Sequence, residues 1–95
     1  VQYKEYFPLP KCLTIKQSPI HGLGLFALED ISQGIDLGES HYLIDSTLIR
    51  TPLGGFINHS DNPNLILVRR KASRFFHAVV SKNIKAGEEL TGKFM

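Results

Sequence analysis

Tryptophan is absent, methionine and cysteine occur once each, and none of the 95 residues belongs to an apolar run of membrane-spanning length. With Cys12 alone, an internal disulfide is excluded, and so is a zinc cluster built from cysteines. No metal site is expected. Cys12 lacks the neighbours that would make it a nucleophile and is read as a half-buried strand residue. The apolar segments fall well short of the ~20 residues that a bilayer-crossing helix needs, and the first residues lack the apolar stretch of a secretion signal. An intracellular protein with no membrane contact is the expectation. Sustained helical periodicity is missing too: no segment repeats apolar residues at i, i+3, i+4 and i+7 over three turns.

What is present fits one small globular domain. A hydrophobic content of 42% with 21% charged residues excludes a disordered chain. At this length folding buries roughly 60–65% of the unfolded surface, enough for one modest core. The net charge of +2 is unevenly divided. Residues 1–48 hold three Lys against six Asp and Glu, and residues 49–95 hold eight Lys and Arg against three Asp and Glu. The excess gathers in Arg69, Arg70, Lys71 and Arg74. That cluster is read as the solvated tip of a hairpin, with an acidic partner or nucleic acid as the rival.

The chain reads as short strands joined by glycine-marked turns. Residues 1–17 form an arm and a first strand, and residues 18–95 the body of the domain. The arm carries Tyr3, Tyr6, Phe7, Pro8 and Pro10. Alternation from Cys12 to Gln17 predicts a strand. Ser18 to Gly24 reads as a turn, Leu25 to Leu28 as a short buried strand, and Ile35 to Tyr42 as another, with Gly38 admitting a bulge. Leu43 to Arg50 fits either a helical turn or a strand, ended by Pro52. Asn64–Arg70 and Arg74–Ser81 predict a hairpin, and Asn83 to Leu90 a turn into a last strand. Glu88 and Glu89 are read as structural residues of that turn, with Leu90 pinning it to the core.

One loop is too polar for a strand or helix interior: Gly55-Phe56-Ile57-Asn58-His59-Ser60-Asp61-Asn62-Pro63-Asn64. It concentrates amides, an imidazole and a hydroxyl behind an apolar anchor, Phe56-Ile57, which suits a site for a polar ligand. His41 and His77 lack such neighbours and are read as structural.

The loop closely resembles the Asn-His-Ser-x-x-Pro-Asn signature of SET-domain protein lysine methyltransferases. Three more segments agree in family order: Ile20-His21-Gly22-Leu23-Gly24-Leu25-Phe26-Ala27, then Gly38-Glu39, and Ala86-Gly87-Glu88-Glu89-Leu90-Thr91. Together they span about four fifths of the chain. The resemblance implies a mostly β SET-domain fold of several small sheets, with a knot-like C-terminal segment passing near the signature loop. It implies S-adenosylmethionine-dependent methyl transfer to a lysine of a protein substrate. It assigns cofactor binding to His21, Gly22, Leu23, Gly24, Asn58 and His59, with the glycines letting the main chain approach the ligand.

The sequence departs from the family at Phe94, where a catalytic tyrosine is expected. A phenyl ring keeps the channel wall but lacks the hydroxyl, whose loss is worth on the order of 10²–10³ in rate. Tyr42, or Tyr3 and Tyr6, is the candidate replacement. The chain stops at Met95, so the expectation is a groove that is open, completed by residues 1–10, or closed by a second subunit in a homodimer. Two other functions stay open: a SET-like binding module with little turnover, and a basic β domain contacting nucleic acid through Arg69, Arg70, Lys71 and Arg74.

Overall fold

The computed structural model describes residues 8–69 and 72–93. Its first hairpin follows from side-chain alternation. In β1 (Leu13–Gln17) and β2 (Leu23–Ala27), antiparallel pairing sets Leu13 opposite Ala27 and Ile15 opposite Leu25, so these four share one face. On the other face the Lys16 ammonium lies 5.7 Å from the centre of the Phe26 ring. The strand β2 starts earlier than expected, because the ladder continues through Lys16 opposite Gly24 and Gln17 opposite Leu23. Leu28, expected to be buried in that strand, lies beyond its end and is 56% exposed. Cys12 sits in the turn just before β1 and is half-buried.

The second sheet is assembled from two hairpins. β3 (Asp36–Ile44) turns at Asp45-Ser46 and returns as β4 (Thr47–Arg50), with Asp45 at a φ of 53° that aspartate tolerates. The ambiguous stretch after Leu43 is therefore strand. Pro52 ends it and also opens one turn of helix, α1 (Pro52–Gly55), where its missing N–H costs nothing. Thr51 caps that turn and donates its hydroxyl to the Glu39 carbonyl at 2.6 Å. β6 (Leu65–Arg69) and β7 (Phe75–Val80) form the expected second hairpin. The order is β4-β3-β7-β6, and the β3–β7 register shifts on both sides of Glu39, a bulge beside Gly38.

The C-terminal strand closes the first sheet. β8 (Glu89–Gly92) lies antiparallel to β2 on one side and parallel to the short β5 (Asn58–His59) on the other, giving the order β1-β2-β8-β5. The last strand thus threads between an early hairpin and the polar loop, which is the knot-like passage. One core cluster draws on both sheets: Leu25 and Leu90 from the first, Leu65 and Val80 from the second, all essentially inaccessible. Ile31 and Ile84, both buried, exchange backbone hydrogen bonds of 2.7 and 2.8 Å and tie the loops that connect the sheets. Leu53 within α1 and Ile57 just after it are both buried, which fixes where the chain enters Asn58.

Candidate functional site

Three segments far apart in sequence meet at Glu89. The first is the turn before β2. Ser18 closes it by donating its backbone N–H to the Gly22 carbonyl at 2.8 Å, while its hydroxyl accepts from the Ile20 N–H at 3.0 Å and more weakly from that of His21. Gly22 holds a φ of 48°, the left-handed region that glycine enters without cost. The Ser18 hydroxyl proton points to the Glu89 carboxylate, 2.8 and 2.9 Å from its two oxygens.

The second segment is β5. The Asn58 Nδ2 group donates to Glu89 Oε2 at 2.8 Å and to the His21 carbonyl at 3.1 Å, with the Leu23 carbonyl at 3.4 Å. Three acceptors around one nitrogen fix which end of the amide points inward, an assignment that is otherwise ambiguous. The Asn58 Oδ1 oxygen carries no hydrogen bond among the described residues.

The third segment is β8 itself, held from the far side. Asn64, which closes the polar loop and is 6% exposed, donates to the Glu89 carbonyl and accepts from the Thr91 N–H, both at 2.9 Å. Ser60 N–H donates to the Gly92 carbonyl at 2.8 Å. Ser60 also turns the loop by accepting from the Asn62 N–H at 3.0 Å. The polar residues of the loop thus divide between holding β8 and facing the glycine turn.

The sequence-predicted residues fall into three groups. His21, Gly22, Leu23, Gly24 and Asn58 are brought together, and His21 and Leu23 contribute their carbonyls. His59 follows Asn58 in β5, with its half-exposed ring 3.2 Å from the Asp61 carboxylate. Tyr42 lies in the other sheet, opposite Ile49 and Phe75, its ring 4.7 Å from that of Phe75. Phe94 lies outside the described residues, as do Tyr3, Tyr6, Arg70 and Lys71.

The sequence assigns none of Ser18, Asn64 and Glu89 to the ligand site, although Asn64 and Glu89 lie in the family segments. Ser18 opens a serine-type turn, and Asn64 closes the polar loop; both are turn residues by composition. Glu89 was read with Glu88 as part of a turn, and only half of that pair belongs there. Glu88 accepts from the Lys85 N–H at 3.2 Å within the turn, whereas Glu89 is already in β8.

Elsewhere, a cavity of about 440 Å³ opens between Leu9, Gly38, Glu39, Pro52 and His77 and shares no residue with this site. The convergence of aimed polar groups, rather than hollow volume, marks the candidate site. His77 there pairs with Asp36 at 3.0 Å. The hairpin tip places Arg69, Ser73 and Arg74 around a second recess of about 340 Å³ that also includes Asp45. Burial pushes the Cys12 thiol above its ordinary value, with Glu29 adding to the effect, so it is not an activated nucleophile.

Comparison with known proteins identifies the fold and the family. No curated protein sequence matches the chain. Among solved structures, a Plasmodium falciparum protein assigned as a histone methyltransferase superimposes with a TM-score of 0.70 at 21% identity, over 90% of this chain and 95% of that one. A humanized mutant of the Chaetomium thermophilum Polycomb Repressive Complex 2, bound to an inhibitor, gives 0.71 at 22% identity over 87% of this chain and 15% of that one. A second structure of that complex gives 0.72 at 20% identity, over 90% and 14%. This chain therefore spans nearly all of the first relative and about one seventh of the other two. At these identities the likeness establishes the fold. The sequence profile of the SET domain matches residues 35–94, from the start of β3 through the polar loop to the end of β8, and the chain belongs to the SET-domain family.

Proposed function

We propose that this chain binds S-adenosylmethionine at the glycine turn and Asn58, and transfers its methyl group to a lysine side chain of a protein substrate. One observation carries the reading: Asn58 spends its nitrogen on His21, Leu23 and Glu89, and its Oδ1, with no partner among the described residues, can accept from an ammonium. The residues present fit a ligand that carries an ammonium beside an apolar body. Ile20 and Leu23 are 51% and 53% exposed on the same turn, placing apolar surface next to its polar groups. When bound, the cofactor supplies an electrophilic methyl group on a sulfonium sulfur.

The chain's own contribution is alignment and desolvation. Asn58 Oδ1 and the main chain from His21 to Gly24 orient the ligand; the family resemblance adds His59, next in β5. A lysine amine, with an ordinary pKa of about 10.4, must be neutral to attack, and apolar surroundings favour loss of its proton. The reading assigns Phe94 to that apolar wall and leaves Tyr42 as a candidate hydroxyl. A relative named as a histone methyltransferase supports a protein lysine as acceptor.

Calorimetric titration with S-adenosylmethionine tests the reading without a guess at the substrate. One saturable site per chain, lost in Asn58→Ala, is expected. Transfer of a labelled methyl group to lysine peptides, faster in Phe94→Tyr, completes it. Binding without transfer by both the wild type and Phe94→Tyr would favour a binding module, and absence of binding would overturn the proposal.

A further inference from the structure

Gly24 differs from Gly22 in a way that changes its meaning. Its φ lies outside the left-handed region, its backbone continues the β1–β2 ladder opposite Lys16, and it is buried. Backbone freedom therefore does not require glycine there. A Cβ at Gly24 would instead overlap the Glu89 carboxylate, lying 2.9 Å from its carboxyl carbon and 3.0 Å from Ser18 Cβ. None of the three nearest atoms is backbone; the overlap is with the Glu89 carboxylate, and Ser18 Cβ stands at the edge of the same space. The Glu89 side chain is not free to move aside, because Ser18 and Asn58 hold both of its oxygens.

We propose that Gly24 is glycine to admit Glu89, and that Glu89 is a positioning residue that locks the Asn58 amide to the glycine turn as one ligand-binding unit. The inference rests on the reading of this site as the S-adenosylmethionine site. Without the carboxylate, Asn58 loses its shortest acceptor and the turn loses its link to β8. The amide can then rotate and present nitrogen instead of oxygen to an ammonium. Glu89 acts through Asn58 and Ser18 and need not touch the ligand.

The test is a double-mutant cycle read by two observables, calorimetric affinity for S-adenosylmethionine and the melting temperature of the ligand-free chain. Gly24→Ala and Glu89→Ala are each expected to weaken binding at least tenfold. The double variant should bind no worse than Glu89→Ala alone, since the methyl group then enters the space the carboxylate has left. Glu89→Gln, which keeps the shape but sets an amide N–H against the Ser18 or Asn58 donor, should lose affinity with little change in melting temperature. A Gly24→Ala penalty that is the same with and without Glu89 would show that the glycine serves close approach of ligand, and would overturn the proposal. So would a melting-temperature loss in Glu89→Gln with unchanged affinity. A wild-type chain that binds no S-adenosylmethionine would overturn the functional reading and this role together, which separates that failure from an additive cycle in a binding-competent chain.

Discussion

Asn64 holds Glu89 by the backbone: its amide donates to the Glu89 carbonyl and accepts from the Thr91 N–H, each at 2.9 Å, with the side chain 6% exposed. The first asparagine of the loop, Asn58, holds the same residue by its side chain. The two ends of the loop therefore grip one residue of β8 from two directions. Asn64→Ala leaves a buried carbonyl and a buried N–H without partners, at a cost on the order of 2–4 kcal/mol. Asn64→Asp keeps the acceptor for Thr91 but turns a carboxylate toward a carbonyl oxygen, and should cost more at neutral pH. Urea denaturation midpoints for the two variants check the order; a smaller loss in Asn64→Asp would mean that β8 is not held this way.

At Asn58 the same comparison separates charge from truncation. Asn58→Ala removes donors and leaves Glu89 paired to Ser18. Asn58→Asp sets a second carboxylate where the nitrogen stands 2.8 Å from Glu89 Oε2, and near the His21 and Leu23 carbonyls. For groups only half-buried the added repulsion amounts to roughly 1–2 kcal/mol. Asn58→Asp should thus be less stable than Asn58→Ala, and the gap should narrow with added salt. Melting temperatures at low and high ionic strength measure both.

Most of the fold was legible because it rests on local rules. The β6–β7 hairpin follows from alternation across a basic tip, and the bulge in β3 from a glycine within a strand pattern. The stretch from Leu43 to Pro52 was ambiguous because β4 is exposed along its whole length, so it carries no buried face to set a period. Gly24 was placed in a turn because the sequence shows a glycine pair, not the ladder partner that extends β2. The ligand-facing residues came from the family resemblance. Glu89 lies in the closing family segment, but its side-chain role was not legible there, since it depends on a contact with Ser18 across 71 positions. Only the threading of β8 brings the two together.

His41 supplies a pH dependence. It is 3% exposed, with Nδ1 2.9 Å from Ser40 Oγ. Burial, and then the nearby Arg50 charge, hold its pKa below the ordinary 6.5. Between the folded and unfolded values the unfolded chain takes up a proton that the folded one refuses, so stability falls as pH drops through 6.5. Above that value the contribution is complete. The loss can reach about 1.4 kcal/mol per pH unit, the limit for one proton. His41→Gln should flatten the dependence between pH 7.5 and 5, as read from urea midpoints, and subtracting the two series removes the contribution of the other histidines. Parallel slopes would place the acid sensitivity elsewhere.

Two adjacent glycines at the entry to Asn58 should respond in opposite directions. At Gly54 a Cβ would collide with the Ser40 carbonyl and come within 3.1 Å of the His41 ring, where α1 packs on β3. The obstacle is buried backbone, which cannot rotate away, and overpacking of this kind costs typically 1–3 kcal/mol or more. Gly55 is exposed, and a Cβ there meets nothing within 4 Å. Gly55→Ala should therefore be neutral to stabilising, by up to about 1 kcal/mol, through reduced backbone freedom in the unfolded chain. The same substitution one residue apart thus tests whether α1 is seated as described. Because Ile57 is buried and leads directly into Asn58, displacing α1 should also weaken ligand binding in Gly54→Ala, while Gly55→Ala binds as the wild type does. Equal effects at the two positions, in denaturation and in titration, would mean that the helical turn does not set the position of Asn58.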